Sequence, residues 1–434
     1  MSKDLKLALD SVTGAALLPE DLEVSLVELA KGLFPLLNIM NIRKGSGNPH
    51  QYNQRTNYGT ANFAGENASG TTTRGSYVRQ YVPLKKIVDR RSVSGMLEAG
   101  SQKLTDAYKD ELTASAAAMG QKLELGFIWG QAKNPAAPVP AVAVGDSYFF
   151  TGMEQSIRTN VFEKSGVLQL SDLDSLLDEP RSKGAGGDQM MFAMSPQMLS
   201  KASSLEPNKF KDIAVYEFAG GARMASYRGV PIWEAQWCRE PHVMGGFLGV
   251  ADSVTVGALV AGKTYGYKIS KITAAGESVA SGASALLVGG GKSAIDLTWT
   301  PEADAILYRI FRTIGDGGTY YFLGSVPAFA YTADGDIVTT NGAWTDVVGD
   351  AYLDLNRTPH ASNEEEIFLF DTSPLQSYEL ASMMAPESQA MKNLFGYIPL
   401  ARTKDSRDFL LTCYAALAMK GEIFNSLLRR VRIA

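Results

Sequence analysis

Two stretches of the chain repeat apolar residues at the spacing of a helix. In "LPEDLEVSLVELAKG", Leu22, Leu26 and Leu29 fall on one face, which predicts a short amphipathic helix over 18–32. The repeat in "SQKLTDAYKDELTASAAAMGQKLELGFIWG" is longer and predicts a single helix over about 101–129. At the standard rise per residue this helix would span roughly 43 Å. It is the longest element that the pattern predicts.

The segment between these helices, 44–91, is rich in Gly, Asn, Thr and Arg and carries widely spaced aromatic residues. Tyr77, Arg79 and Tyr81 alternate with their neighbours as in a strand. A structureless loop of this length is improbable inside a compact domain, so the pattern predicts a long two-stranded arm. Because an isolated hairpin is only marginally stable in water, the arm is expected to lie on another surface, such as that of a neighbouring subunit.

From 146–250, and again near the C-terminus, short helix and strand signals mix, which predicts an α+β domain. "SDLDSLLDEP" is predicted as a helix that starts at Ser171 and stops at Pro180. "QMMFAMSP" is predicted as a buried strand leading into a helix capped at Ser195. In "YRGVPIWEAQW", Pro231 predicts an edge strand.

Helix signals vanish over about 251–350. Apolar and polar residues alternate in "TYGYKIS", "AIDLTWT" and "ILYRIFR", and Gly-rich turns separate these runs. Short strands joined by such turns predict an all-β sandwich. Because α+β character resumes from 351 onwards, the sandwich is expected to be an insertion into a host domain. The predicted fold class is therefore α+β with an inserted all-β domain.

Composition and charge narrow the range of possible functions. The 41 Lys+Arg and 46 Asp+Glu give a formal net charge of -5, which offers no general attraction to nucleic acid. The two cysteines, Cys238 and Cys413, cannot build a disulfide framework. The pattern indicates neither a signal peptide nor a membrane span. These features predict synthesis and folding in the cytosol, with no membrane partner.

Candidate catalytic chemistry is sparse. "VGGGKS" at 288–293 resembles a phosphate-binding loop, but Leu286 stands where that loop needs its first glycine, so a plain β turn is predicted. His50, His242 and His360 are predicted to lie in loops without metal-ligand spacing. An Asp-Gly turn explains "TADGDI" without a calcium ion. With no recognisable hydrolase or metalloprotease motif, no enzyme activity and no catalytic, cofactor-binding or metal-binding residue is predicted.

The predicted interaction surface is the arm. Its aromatic and basic residues are the candidate inter-subunit contacts: Tyr52, Tyr58, Phe63, Tyr77, Arg79, Tyr81, Lys85, Lys86, Arg90 and Arg91. A nucleic-acid patch would need separation from acids, yet Asp89 stands among the basic residues. Docking onto an acidic face of a neighbouring subunit is the favoured interpretation, and nucleic-acid binding is the alternative.

The order of these predicted elements resembles the major capsid proteins of tailed bacteriophages (Caudoviricetes) with the Hong Kong 97 fold. "TGAALLPEDLE" resembles their N-terminal arm, "MGQKLELGFIWG" the end of their spine helix, and "GGARMASYRGVPIWEA" with "DFLLTCYAALAM" their A- and P-domain strands. The resemblance covers about 1–250 and 351–434. It divides the chain into an N-terminal arm with a short helix (1–43), an extended loop (44–91), the spine helix with part of the P domain (92–145), the first part of the A domain (146–250), the insertion (251–350) and the remainder of the A and P domains with a C-terminal strand (351–434).

The resemblance implies pentamers and hexamers that close into an icosahedral shell around double-stranded DNA, without sequence-specific contacts to it. It implies a location in the virion after assembly in the host bacterial cytoplasm, with portal and decoration proteins as partners. Because only about eighteen residues precede Pro19, a separate scaffolding protein or a trimmed sequence is also implied. Some relatives join subunits through Lys-Asn isopeptide bonds, but no local motif assigns such a pair here.

The insertion has a resemblance of its own. "TYGYKISKITAAGES" resembles the last strands of a fibronectin type III domain, within the immunoglobulin-like class, and "IDLTWTPEADAILYRIFR" resembles its second and third strands. The first of these comes earlier in the chain, so the order is permuted. Insertion needs chain ends that lie close together on the surface, which a permuted sandwich can provide. On a shell it would project outward, where it could bind bacterial surface sugars or cover neighbouring subunits.

Two other functions stay open from the sequence. One is an encapsulin-like compartment shell of the same fold, which would enclose enzymes instead of DNA. The other is a surface glycan-binding adhesin built around the sandwich. The missing signal peptide and the long predicted helix argue against the adhesin.

Overall fold

A computed structural model gives the structure of the protein. It describes residues 41–44, 47–63, 66, 72–96, 107–132, 149–185, 190–205, 216–217, 223–235, 238, 244–245, 247–273, 276–331, 337–355, 357–361, 364–371, 378–383, 396–400 and 405–433. The helix predicted over 18–32 and the turn of "TADGDI" that holds Asp334 and Asp336 lie outside these residues.

Helices and strands alternate irregularly along the chain, as expected for an α+β protein. The helices are α1 (Ala107–Trp129), α2 (Met153–Ser156), α3 (Leu170–Ser182) and α4 (Pro196–Leu205). The strands are β1 (Asn41–Lys44), β2 (His50–Asn57), β3 (Ser76–Val82), β4 (Lys85–Ser94), β5 (Val161–Val167), β6 (Met190–Met194), β7 (Tyr216–Glu217), β8 (Arg223–Tyr227), β9 (Val230–Glu234), β10 (Phe247–Asp252), β11 (Thr264–Thr273), β12 (Gly276–Glu277), β13 (Ser284–Leu287), β14 (Ile295–Trp299), β15 (Leu307–Thr313), β16 (Tyr320–Pro327), β17 (Phe329–Tyr331), β18 (Ile337–Thr340), β19 (Ala343–Asp346), β20 (Glu364–Asp371), β21 (Tyr378–Met383), β22 (Gly396–Pro399), β23 (Ser406–Met419) and β24 (Ser426–Arg432).

The chain divides into two compact units. The first comprises Met1–Gln121 with Tyr378–Lys420, and the second comprises Lys122–Ser377 with Gly421–Ala434. Helix α1 begins in the first unit and ends in the second, at the Trp129 that the apolar repeat predicts. Its 23 residues span about 34 Å. None of the helices within the described ranges is long and apolar enough to cross a membrane.

Strand β23 is the centre of the sheet in the first unit. Strand β4 pairs with it on one edge, and β21 and β22 pair with it in succession on the other. This corrects the predicted extent of the arm, because Lys85 to Arg91 lie on β4 in this sheet and not in a hairpin. Phe409, Leu411, Cys413 and Ala415 of β23 are buried on one face, and Thr412 and Ala416 to Ala418 are buried as well.

The predicted two-stranded arm is present as an antiparallel pair of β2 and β3. His50 lies opposite Val82, and the register continues to Asn57 opposite Ser76 with one irregularity. Every residue of both strands is at least partly exposed, so the pair has no buried face within the described chain. We call β2, β3 and the adjoining residues 58–63 the hairpin.

A seven-stranded mixed sheet forms the α+β part of the second unit, in the order β5-β24-β20-β6-β9-β8-β7. Helices α3 and α4 contribute apolar residues to the core on this sheet. The prediction for α3 was wrong at both ends: Gln169 and Asp172 form the capping box, and the helix passes Pro180. Pro180 has no N–H for the carbonyl of Leu176, and the Ser426 hydroxyl donates to that carbonyl instead, at 2.7 Å. The helix can therefore continue for two more residues.

The prediction of an edge strand at Pro231 was also wrong. Strand β9 lies inside the sheet, between β6 and β8. Pro231 is tolerated because the pairing of β9 with β6 begins only at Ile232. The turn that joins β8 to β9 has Arg228 and Gly229 at positive φ, which is typical of a two-residue hairpin turn. The strand and the Ser195 cap predicted for "QMMFAMSP" are confirmed, since the Met198 amide donates to Ser195 Oγ at 3.1 Å.

The β-only part of the second unit consists of two larger sheets that share one hydrophobic core, and a two-stranded sheet of β17 and β18. One sheet has the order β10-β14-β19, and the other has β12-β11-β15-β16 with β13 also paired to β11. Their inward side chains form a single cluster that includes Tyr267, Trp299 and Tyr308. We call β10 to β19 the two-sheet β region. Its first strand begins at Phe247, four residues before the predicted boundary at 251.

Candidate functional site

The hairpin holds most of its aromatic side chains in the open. Tyr58 is 85% exposed, Phe63 is fully exposed, and Tyr77 and Tyr81 are each more than half exposed. Large aromatic side chains grouped on one exposed element are unusual on a monomer surface and are typical of residues that bind another protein. Four of the predicted contact residues therefore present free apolar surface.

Tyr52, predicted with this group, has a different role. Its hydroxyl donates to the carbonyl oxygen of Met419 at 2.9 Å, and the Gln54 amide donates to that of Lys420 at 3.2 Å. Lys420 Nζ also lies 5.8 Å from the centre of the Tyr52 ring. These contacts attach β2 to the end of β23, within the first unit. Tyr52 therefore holds the hairpin in place.

Arg55, which sequence reasoning missed, organises the aromatic group. Its guanidinium carbon lies 5.1 Å from the Tyr58 ring centre and 5.0 Å from that of Tyr77, and its Nη2 donates to Tyr77 Oη at 2.7 Å. A guanidinium that contacts two aromatic rings restricts the motion of both rings. Tyr58 and Tyr77 nevertheless keep most of their surface exposed. The exposed rings are thus held in a defined arrangement.

The predicted basic residues do not form one patch. Arg79, on the hairpin, reaches Asn53 Oδ1 at 3.4 Å, whereas Lys85, Lys86, Arg90 and Arg91 lie on β4. Arg90 contacts Asp408 at 3.2 Å. Hydrogen bonds from Ser92, Ser406 and Arg90 lower the pKa of Asp408.

Arg91 pairs with two acids of its own chain, Asp89 at 2.9 Å and Glu111 of α1 at 2.8 Å. The hydrogen bond to Glu111 is the largest of the causes that raise the pKa of Arg91. Asp89 also accepts a hydrogen bond from Ser115 at 2.6 Å. Asp89, which argued against a nucleic-acid patch, is thus an internal partner of this arginine. A subunit-contact role for the basic group stays a prediction.

The second unit contains a set of paired charged residues that the sequence did not predict; six of the eight are buried, and Glu163 and Arg357 remain partly exposed. We call it the buried ionic cluster, and its members are Glu154, Glu163, Glu277, Arg309, Arg357, His360, Glu366 and Arg429. They come from α2, five strands and the segment before β20. Burying so many charges is costly unless each finds opposite charge, so this region of the fold depends on its pairing.

Arg309 joins the two-sheet β region to the rest of the second unit. It extends from β15, is 1% exposed, contacts Glu277 of β12 through Nη1, and contacts Glu154 of α2 through Nη2 at 2.6 Å. Arg357 adds a second cation on Glu154 at 2.8 Å. Burial opposes ionisation of Glu154, but Arg309 and Arg357 outweigh it and lower its pKa to about 2. Burial likewise opposes ionisation of Glu277, and Arg309 is the largest influence that lowers its pKa.

A close backbone approach places Glu154 at this position. The Gly152 amide donates to the carbonyl of Gly130, just beyond α1, at 2.7 Å. A Cβ on Gly152 would lie 2.6 Å from the backbone nitrogen of Gly130, so only glycine fits without a shift of the chain. This contact fixes the start of α2 and directs its first turn into the cluster.

Arg429 of β24 forms the other side of the cluster. Its Nε donates to Glu366 of β20 at 3.0 Å, and its Nη1 donates to Glu163 of β5 at 2.7 Å. Burial would lower the pKa of Arg429, but Glu366 and Glu163 raise it. Burial of Glu163 outweighs the effect of Arg429 on that carboxyl and raises its pKa. The three strands are neighbours in the sheet, which is why these side chains meet.

His360 lies between two carboxylates, and this overturns its prediction as an ordinary loop histidine. It is buried, with Nε2 at 3.2 Å from Glu366 Oε1 and 3.8 Å from Glu277 Oε2. Burial would lower the pKa of His360, but Glu277 and the hydrogen bond to Glu366 together raise it above the usual value. The prediction of a loop was wrong for His50, which lies on β2, and His242 lies outside the described residues.

The same three residues have the donor types of a metal site. Ligand atoms of Glu277, His360 and Glu366 all lie within 4.8 Å of one another. However, Arg309 contacts Glu277 and Arg429 contacts Glu366, so these carboxylates already have cationic partners. A divalent ion would have to displace the guanidiniums or accept their repulsion. The arrangement therefore favours an ion-pair network over metal binding.

Two further sequence features have simple structures. The "VGGGKS" segment is the turn between β13 and β14, with Gly291 at positive φ and the Lys292 amide donating to Gly289. The predicted β turn is confirmed. Cys238 and Cys413 are both buried and unbonded, and burial raises the pKa of each thiol. Neither has the exposed thiolate that a nucleophile needs.

Comparisons with known proteins gave matches only among solved structures. No protein-family model matches the chain, and no curated protein matches it. The chain is similar to the SrpI encapsulin of Synechococcus elongatus PCC 7942, with 10% identity over 92% of this chain and 88% of that one, at a TM-score of 0.47. It is also similar to the capsid of an empty GTA particle, with 10% identity, 92% and 90% coverage and a TM-score of 0.43. The capsid of cyanophage P-SCSP1u gives 7% identity, 92% and 88% coverage and a TM-score of 0.43.

Proposed function

We propose that this protein is a structural subunit of a self-assembling protein shell, with no catalytic role. The observation that carries the proposal is the hairpin, whose two strands have no buried face and which exposes four aromatic side chains, Tyr58, Phe63, Tyr77 and Tyr81. Two strands alone are marginal in water, so a second surface is needed to cover them. Another copy of the same chain supplies that surface, and most assemblies of identical chains have closed symmetry.

Within this class, the proposed protein is the major capsid protein of a tailed bacteriophage with the Hong Kong 97 fold. The support is the order of elements: the hairpin, the long helix α1, the mixed α+β sheet and the long strand β23. In this proposal the chain forms pentamers and hexamers around double-stranded DNA, with a scaffolding protein, a portal and decoration proteins as partners. Its location would be the virion, after assembly in the host bacterial cytoplasm.

The two-sheet β region is proposed to be an inserted immunoglobulin-like domain of the fibronectin type III kind. Its two sheets share one core, and helix α2 and strand β20 on either side of it belong to the same second unit. In the shell it would project from the outer surface.

The test is assembly of the full-length chain, expressed with any scaffolding protein encoded beside its gene. Negative-stain microscopy and sedimentation should show closed particles of uniform diameter. The double variant Tyr58→Ser/Phe63→Ser should abolish them and leave soluble, folded subunits. Val254→Ser, which also removes an exposed apolar side chain but in the two-sheet β region, should assemble as the original does. A chain that stays monomeric, or a hairpin variant that assembles normally, would overturn the proposal.

The contents of purified particles separate the two kinds of shell. Nuclease-protected double-stranded DNA in particles from the native source supports a phage head. A co-purified enzyme without DNA supports a compartment shell instead.

A further inference from the structure

A cleft with a volume of about 470 Å³ opens between the two-sheet β region and two segments that follow it in the second unit. Lys268 of β11 and Tyr320 of β16 line one side. Thr358 and His360, before β20, and Arg430 of β24 line the other. The volume lies within the range of small-molecule sites, and two separate parts of the second unit form its walls.

The charged side chains that line this cleft, Lys268 and Arg430, are both cationic. None of the residues that line it is Asp or Glu. Lys268 Nζ lies 4.8 Å from the centre of the Tyr320 ring, and among the described residues no carboxylate lies within ion-pair distance of it. The ring holds the ammonium group at the cleft without neutralising it.

The second cation is only partly neutralised. Arg430 Nε donates to Glu364 at 2.9 Å, but Arg432 contacts the same carboxylate at 3.0 Å. Two guanidiniums therefore share one negative charge. Arg430 Nη1 also donates to Thr358 Oγ1 at 2.6 Å, which leaves the hydroxyl proton of Thr358 free to be donated to a ligand. Arg430 is thus paired with a carboxylate that a second guanidinium also contacts.

We propose that this cleft binds a small oxyanion, a carboxylate or phosphate group, between Lys268 and Arg430. An ammonium group and a guanidinium form charge-assisted hydrogen bonds to such groups, and the threonine hydroxyl adds a neutral donor. The group could belong to an acidic sugar or be phosphate itself. The proposal concerns the second unit alone and does not depend on the shell function.

The test is calorimetric titration of the full-length protein with inorganic phosphate, D-glucuronate and D-glucose at constant ionic strength. At least one of the two anions should give saturable binding, and glucose should give none. Binding of phosphate alone identifies a phosphate site, and binding of glucuronate identifies a site for carboxylated sugars. Lys268→Met should weaken the binding about tenfold or more, because it removes one charge contact to the anion. A tenfold change in binding corresponds to the free energy of one pKa unit, about 1.4 kcal/mol.

Lys292→Met is the matched control, because Lys292, like Lys268, is a partly exposed lysine of the same β region, and it does not line the cleft. It should bind as the original does, and thermal melting should show that both variants are folded. The absence of saturable binding for either anion, or equal weakening in the two lysine variants, would overturn the proposal.

Discussion

The hairpin and the buried ionic cluster use similar side chains in opposite surroundings. In the hairpin, Arg55 lies over two exposed tyrosine rings. In the cluster, Arg309 is 1% exposed, lies 5.7 Å from the Trp129 ring centre, and is enclosed by carboxylates. In water an ion pair contributes little, whereas removal of one partner from a buried pair leaves an uncompensated charge. The hairpin is therefore available for binding other molecules, and the cluster is committed to folding.

The largest effect is expected from Arg309→Met. The variant leaves Glu277 with weaker counter-charges and Glu154 with Arg357 alone. We expect the free energy of unfolding to fall by about 3–5 kcal/mol, measured by urea denaturation of the full-length chain. Arg228→Met, which breaks an exposed pair with Asp174 and Asp178, is the control and should cost no more than about 1 kcal/mol. An equal loss of unfolding free energy in the two variants would show that a buried ion pair contributes no more to stability than an exposed one.

A smaller effect is expected from pH. The pKa of His360 is raised in the folded protein, so its contribution to stability is complete below the unfolded value of about 6.5 and is lost as the pH rises through the folded value. Each pH unit between the two values removes at most about 1.4 kcal/mol. Urea denaturation between about pH 6 and about pH 9 should show the decline. On the acid side the lowered pKa values of Glu154 and Glu277 act in the opposite sense, since their contribution is lost as the pH falls below the usual glutamate range.

Two histidine variants test the assignment of that alkaline decline. His360→Gln removes the group and should flatten the profile. His50→Gln changes a histidine of the hairpin and should leave the decline in place. If the two variants have the same profile, the decline does not come from the cluster.

The local alternation of residues was sufficient to predict the hairpin. Alternation around Tyr77 predicts the strand, and the pairing of β2 with β3 needs only residues close in sequence. The same reasoning placed Lys85 to Arg91 in the arm, because alternation cannot tell a hairpin partner from a distant one such as β23. Arg55 was missed because its partners, Tyr58 and Tyr77, meet it only once the hairpin turns back.

The cluster could not be predicted in this way, because its members range from Glu154 to Arg429 and meet only in the folded second unit. A signal was present nonetheless. "EEEIFLFDT" begins a fully buried strand with three glutamates, and "LLRRVR" supplies arginines. These strands pair antiparallel, with Glu364 opposite Arg432. Because buried carboxylates need cationic partners, an acidic strand and a basic strand in one chain are predicted to pair with each other.

The smallest effect on the free energy of unfolding is expected for Phe63→Ser, at a position where the effect on assembly should be large. Phe63 is fully exposed, so Phe63→Ser removes no buried area within the chain and should change the free energy of unfolding by no more than about 0.5 kcal/mol. The measurement is urea denaturation of dissociated subunits beside the sedimentation of assembled ones. Leu411→Ser, at a buried position of β23 in the same unit, is the contrasting variant and should destabilise the subunit by several times that amount, about 2 kcal/mol or more. If Phe63→Ser destabilised the subunit as strongly as Leu411→Ser, the hairpin would have to be part of the core of its own chain, and the separation between a surface kept for binding and a cluster kept for folding would fail.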